Sequence, residues 1–260
     1  MNAKVPWIAS CAMLMWNIIA LAPGGPREPR DIARQTFPSV VLLSMSDASG
    51  RAVSIGSGFF VLPDVVVTSL HVIERTTGGY AKRVGDDTHY PIAGVVAVDE
   101  AHDLALVKIT GASAEPLRLG QAELVAVGDR VFTIGNPRGY EGTFSEGIVS
   151  AIRASGIARL LQVTTPIARG SSGGPVVNAQ GDVIGITAAL VEGEQNLNFA
   201  LSVSYLRPLL DRLRPVAALD KIGLVTRYAG ADASVGSPSP ERVSEAIMTP
   251  GGRTLPTYLP

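Results

Sequence analysis

The chain has 260 residues, 46% hydrophobic and 17% charged, which is ample for a sizeable core and excludes an intrinsically disordered polypeptide. Its 22 basic and 23 acidic side chains leave a net charge of −1, without the basic excess of a nucleic-acid binder. One cysteine, Cys11, allows no intramolecular disulfide and no thiolate metal cluster, and three scattered histidines do not make a metal site, so no metal or cofactor is expected.

The chain opens with Lys4, an apolar run from Val5 to Ala22 that ends in Ala20-Leu21-Ala22, and then Pro23-Gly24-Gly25-Pro26. A cation, an apolar stretch and an A-x-A site are the layout of a secretory signal peptide, here residues 1–22. The alternative is an uncleaved anchor, because residues 5–22 can just span a bilayer and tether the chain to a membrane. Either way the remainder is expected to be exported: periplasmic, secreted, or anchored facing outward.

From residue 37 onward, short Val/Ile/Leu/Phe-rich runs alternate with Gly, Pro, Asp and Asn clusters such as Asp47–Gly50, Gly78-Gly79 and Asn178–Gly181. Candidate strands cover residues 39–46, 52–62, 65–69, 92–98, 104–109, 130–134, 145–153, 160–165, 175–178, 183–189 and 198–203. Such spacing predicts an all-β sandwich or barrel. A less regular stretch, residues 110–116, divides the strands into two sets of similar size. One helix is expected over Tyr205–Leu213, capped by Ser204, with Pro208 in its first turn. The extension from 215 to 260 loses periodicity and is expected to be loose.

Three short segments carry chemistry. In Gly170-Ser171-Ser172-Gly173-Gly174-Pro175 the glycines let the backbone turn tightly around an exposed Ser172. The same composition also makes an ordinary hairpin turn. His71 follows the apolar run Val65–Val67 at a strand end, where it can serve as a general base or as a satisfied structural histidine. Asp103 opens the apolar run Leu104–Ile109, either as a turn residue or as the acceptor that orients a histidine ring. The rivals are weaker: His89 lies in a polar stretch and is expected to face solvent, His102 has no apolar strand leading into it, and Asp99 is followed by Glu100 rather than a strand. The chain order His71, Asp103, Ser172 is that of the chymotrypsin class of serine hydrolases.

These segments together resemble the trypsin-like serine proteases of the Deg/HtrA type. Val67–Val72 is similar to V-T-N-A-H-V, Asp103–Ile109 to D-L-A-V-L-K-I, and Ile134–Pro137 with Ser145–Ser150 to I-G-N-P and S-x-G-I-V-S. Gly170–Pro175 is similar to G-N-S-G-G-P, Gly181–Ile186 to G-x-V-I-G-I, and Asn198–Leu201 to G-F-A-I. The likeness covers residues 37–214, with Ser69, Leu70 and Ser171 replacing Asn, Ala and Asn of the family pattern. It implies two six-stranded antiparallel β-barrels, about 37–112 and 128–205, with a triad of His71, Asp103 and Ser172 in the cleft between them. It implies an oxyanion hole from the N–H groups of Gly170 and Ser172, and polypeptide substrates. It allows homo-oligomers. Forty-six residues follow Arg214, fewer than the roughly 90 of a PDZ domain, so a protease domain without that module is expected.

By the same likeness the specificity pocket has Pro166 and Ile167 at its floor, with no acid to receive Lys or Arg, and favours small or medium aliphatic side chains. The strand Thr187-Ala188-Ala189-Leu190 is expected to pair with the substrate backbone. A catalytically silent protease fold used as a binding or scaffold module is the alternative function, and an esterase on the same fold a third.

Overall fold

The computed structural model describes residues 27–155, 158–190 and 197–222. The candidate leader, the segment 191–196 and residues 223–260 lie outside the described residues.

The strands of the first half are β1 (Val40–Ser46), β2 (Ala52–Leu62), β3 (Val65–Ser69), β4 (Gly78–Arg83), β5 (Tyr90–Asp99) and β6 (Leu104–Ile109), which close into a barrel in the order β1-β2-β3-β6-β5-β4. Those of the second half are β7 (Arg130–Gly135), β8 (Thr143–Ser155), β9 (Ala158–Val163), β10 (Pro175–Asn178), β11 (Val183–Leu190) and β12 (Asn198–Ser202). They close in the order β10-β11-β12-β9-β8-β7, which is the first barrel's connectivity repeated. The two antiparallel barrels expected from the resemblance are therefore present.

Period-two alternation explains why the strands read as near-continuous apolar runs. Val66, Ala105, Val107 and Ile109 point into the first barrel, while their neighbours Val65, Val67, Leu104 and Leu106 join the core shared by the two barrels. In the second barrel Val131, Leu161, Val176 and Ala200 fill the interior, and Phe132, Leu160, Val177 and Leu201 face the shared core. Strands buried on both sides hold the barrels against each other, and that contact positions the site.

Two expectations about local structure need correction, and two helices were not anticipated. Gly78-Gly79 does not mark a turn but opens β4, pairing with Ser46 and Met45. A Cβ at Gly79 would lie 2.6 Å from the Ser44 carbonyl oxygen, so glycine permits this close approach. A helix not anticipated, α1 (Pro29–Thr36), starts with Pro at its N-terminus and inserts Ile32 fully into the shared core. The one-turn helix α2 (Leu70–Ile73) follows β3 directly. The late helix is shorter than expected: a 3₁₀ turn, Val203–Tyr205, leads into α3 (Leu206–Leu210), and the capping oxygen belongs to Ser202, not Ser204. Pro208 does fall in its first turn, but Leu213 is exposed.

The extension is not loose where it begins. Ala217 exchanges both backbone hydrogen bonds with Val95, at 2.8 and 2.9 Å, and Leu219 and Ile222 are buried in the first barrel's core. Apolar side chains spaced three apart, Leu219 and Ile222, were the available signal for this docking.

Candidate active site

The pairing of β3 with β6 places Ser69 opposite Leu104, so the residues just beyond these two meet at one end of the first barrel. Asp103 leaves the 3₁₀ turn Glu100–His102 with φ 53°, a left-handed conformation that aspartate tolerates better than most residues. Its carbonyl accepts from Leu70 N at 2.9 Å, Oδ1 accepts from His71 N at 2.9 Å, and Oδ2 lies 2.6 Å from His71 Nδ1. One carboxylate thus fixes both the backbone and the ring of His71, leaving Nε2 as the free nitrogen. Burial of the ring pulls its pKa down; the Asp103 hydrogen bond and charge, with help from Glu74, outweigh burial and hold it above the ordinary histidine value.

Ser172 lies on a loop carried by the second barrel but docked on the first. Ser57 N, in β2, donates to the Ser172 carbonyl at 2.8 Å. A Cβ at Gly173 would lie 2.3 Å from Ser57 O and 2.9 Å from Ser69 N, so the residue after Ser172 touches the strand end that carries His71. Among the described residues, Ser172 Oγ is not hydrogen-bonded to His71; in hydrolases at rest this contact is often long and tightens with substrate.

The backbone of the loop is held by its carbonyls. Arg169 O accepts from Arg138 N at 2.7 Å, and Ser171 O accepts from Gly174 N at 3.0 Å and from Thr187 Oγ1. In a planar trans peptide the N–H points opposite the carbonyl. These anchors therefore turn the N–H groups of Gly170 and Ser172 the other way, and neither has a partner among the described residues. Gly170 has φ +92°, where a side chain would be strained and its Cβ would meet Asn136 O at 2.7 Å. Two free donors, on peptides separated by the Gly170–Ser171 peptide and beside a serine hydroxyl, can bind a developing oxyanion.

Two residues of this architecture were given no role at the site by the sequence. Ser57 and Asn136 are both fully buried; they bond each other, and Ser57 also bonds the loop that carries Ser172. The available signal for Ser57 was a hydroxyl between two glycines, Gly56 and Gly58, inside an apolar strand. The loop after Asn136 is held too: Gly142 N donates to Asn136 Oδ1 at 3.0 Å, and Lys82 of β4 pairs with Glu141 at 2.7 Å.

The rivals also take definite places. His89 is exposed and stacks on Tyr80. Asp99 and His102 form a second Asp–His pair, with Oδ2 2.8 Å from Nδ1. Tyr205 stacks on the His102 ring at 3.9 Å, and Nε2 is buried with no partner among the described residues. Closed off in this way, His102 cannot exchange a proton with a bound substrate.

The expected pocket residues separate into two groups. Pro166 and Ile167 border a cavity of about 20 Å³, room for one water, whose other walls include Ile134, Pro137 and the hydroxyl residues Ser145, Ser171 and Thr187. None of its lining residues is acidic. Thr187 does not belong to the substrate-facing edge. Its N–H donates to Gly174 O and its carbonyl accepts from Gly173 N, both at 2.8 Å, so its backbone is spent on the Ser172 loop. Pairing of β10 with β11 stops at Ile186. The outer backbone edge of Ala188, Ala189 and Leu190 is therefore unpaired among the described residues.

Residues 56–186 match the family described as trypsin-like peptidase domain. The chain is 34% identical over 178 residues to a probable periplasmic serine endoprotease DegP-like from Chlamydia pneumoniae, covering 66% of this chain and 36% of that one. It is 33% identical over 172 residues to anti-sigma-I factor RsgI9 of Acetivibrio thermocellus, covering 64% of this chain and 24% of that one. The chain thus spans less than half the length of either relative. The crystal structure of Deg5 superposes with a TM-score of 0.60 at 27% identity, over 69% of this chain and 90% of that one.

Proposed function

The chain belongs to the trypsin-like peptidase family, with a domain of the Deg/HtrA type, and we propose that it is a serine endopeptidase acting on exported polypeptides. His71 Nε2 accepts the proton of Ser172 Oγ as that oxygen attacks the scissile carbonyl. Asp103 keeps the proton of His71 on Nδ1 and stabilises the imidazolium. The N–H groups of Gly170 and Ser172 receive the oxyanion. Collapse of the tetrahedral intermediate breaks the C–N bond, His71 protonates the departing amine, and water then hydrolyses the acyl-enzyme by the same route.

The observation that carries this reading is the Asp103 carboxylate gripping His71 at both its backbone and its ring, which leaves one ring nitrogen free beside the docked serine loop. The substrate chain pairs with the free edge at Ala188–Leu190, and its side chain before the scissile bond, small or medium and aliphatic, rests against Pro166 and Ile167. Residues 37–214 form the protease domain, residues 1–22 direct export or tether the chain to the membrane, and the periplasmic designation of the Chlamydia relative agrees with an exported protein. A silent binding module is disfavoured because all three reactive side chains are present in their family positions. The test is labelling by a fluorophosphonate together with cleavage of a peptide library. Wild type reacts and cleaves, and Ser172→Ala does neither; cleavage by Ser172→Ala at the wild-type rate overturns the assignment.

A further inference from the structure

We propose that Ser57, a residue of the first barrel, is a positioning residue that sets the oxyanion-binding peptides of the second barrel; this rests on the peptidase reading above. Its Oγ donates to the Gly170 carbonyl at 2.7 Å and accepts from Asn136 N at 2.9 Å and Asn136 Nδ2 at 3.2 Å. Its N–H donates to the Ser172 carbonyl at 2.8 Å, and its own carbonyl accepts from Thr68 Oγ1 at 2.8 Å. One fully buried residue therefore touches both residues whose amides would hold the oxyanion.

The hydroxyl has one proton to give and two lone pairs, and all three are used, so it has no alternative rotamer that keeps its bonds. Its partners are 113 and 79 residues away in the chain, on the other barrel. A hydroxyl needing only to be satisfied would find a closer acceptor. Asn136 reciprocates from the second barrel, donating from Nδ2 to Val41 O in β1 at 2.9 Å. The result is a two-way clasp across the barrel interface, ending on the Gly170 carbonyl.

The consequence follows from glycine's freedom. The two peptides flanking Gly170 are fixed by Arg138 N on the Arg169 side, and by Ser57 Oγ together with the Ser171 N to Ala168 O bond on the other. Gly170 has no side chain to resist rotation. Without the Ser57 hydroxyl the Gly170 carbonyl loses its donor, and the Gly170–Ser171 peptide, which joins the two donor peptides, is left with only the Ser171 N to Ala168 O bond. The oxyanion donors would then be misaimed, while the ground-state grip on substrate, which lies along Ala188–Leu190, would be unchanged.

The test compares wild type, Ser57→Ala, Ser57→Cys and Ser39→Ala in the full chain. Ser39 is a control because its buried Oγ donates to Glu115 O at 2.6 Å, outside the site. Active sites are counted with a fluorophosphonate, kcat and KM are measured on a peptide substrate, and affinity is measured for a peptidyl boronate, whose adduct is tetrahedral. Removing one oxyanion donor outright lowers kcat about 10²–10³-fold, so an indirect loss of about 10–100-fold is expected for Ser57→Ala. KM should stay within about threefold, and boronate affinity should fall with kcat. Ser57→Cys, which keeps a weak donor, should recover part of the loss, and Ser39→Ala should match wild type per active site. Unchanged kcat per labelled site in Ser57→Ala overturns the proposal, as does a loss confined to KM or to the fraction of active sites. Should Ser57→Ala fail to fold, Ser57→Cys decides by the same criteria. A wild-type chain that neither labels nor cleaves overturns the peptidase reading and this proposal with it; an active wild type with an indifferent Ser57 overturns this proposal alone.

Discussion

Gly173→Ala probes the docking of the serine loop on the first barrel. The new Cβ would fall 2.3 Å from Ser57 O, 2.5 Å from Thr68 Oγ1 and 2.9 Å from Ser69 N. Two of these are backbone atoms of β2 and β3, which lie in continuous ladders and cannot give way. The φ of +85° adds strain, about 1–2 kcal/mol for a left-handed non-glycine residue. Overpacking adds about 1–3 kcal/mol, for a total of about 2–5 kcal/mol. At about 2–4 °C per kcal/mol for a domain of this size, the melting temperature should fall by roughly 5–20 °C. Gly50→Ala isolates the strain, since it has a φ of +79° with nothing within 4 Å of the added carbon. Because the overlap can be relieved only by moving the loop away from Ser69, kcat should also fall, by about 100-fold for a displacement of about 1 Å. Thermal melts and active-site-titrated kinetics on both variants check this. Equal melting temperatures for the two variants, with wild-type kcat in Gly173→Ala, would refute the loop's rigid seating on the first barrel.

Four further outcomes are expected. A pH–rate profile of kcat/KM should rise with pH with a midpoint above about 6.5, because His71 must be neutral to act and the Asp103 carboxylate raises its pKa; a midpoint at or below 6.5 contradicts that pairing. The same pairing contributes stability that is complete below about 6.5 and fades as pH climbs through the raised pKa, so His71→Ala should narrow the stability difference between pH 6 and pH 9 in chemical denaturation. Leu219→Ala should destabilise the fold by about 2–5 kcal/mol, as for any buried leucine, whereas a loose extension would give no change in the urea midpoint. A peptide library should show cleavage after Val, Ala or Ile and little after Lys or Arg; dominant cleavage after Lys or Arg, abolished by Glu192→Gln or Glu194→Gln, would overturn the apolar pocket and assign its charge to that acid.

What was legible in the chain was whatever one strand carries by itself. β3, β6 and β10 begin and end where their apolar runs do, because both faces of these strands are buried and turn residues bound them. β4 has only Ala81 buried, so Gly-Gly-Tyr-Ala-Lys-Arg shows no hydrophobic period, and its strand character is imposed by the ladder to β1. Helix α1 is anchored through Ile32, and one large apolar residue in an otherwise small or polar octamer is too little for a pattern. Thr187 was placed with the substrate edge because nothing local distinguishes it from Ala188; only the return of the Gly173–Gly174 backbone uses up its N–H and carbonyl.

At the site, the same division separates chemistry from its support. His71, Asp103 and Ser172 each belong to a short motif, so order and context were enough to single them out. Ser57 and Asn136 act over spans of 79 and more residues, and no window of sequence holds both. The two Asp–His pairs make the limit plain. Asp99 and His102 are three residues apart and bond as closely as a catalytic pair would, yet the Tyr205 ring covers the imidazole and buries Nε2. Asp103 and His71 are 32 residues apart and leave the imidazole about a third exposed beside the serine loop. Bond length does not distinguish these two histidines; access to the second ring nitrogen does, and that access is decided by which barrel's residues reach across the interface.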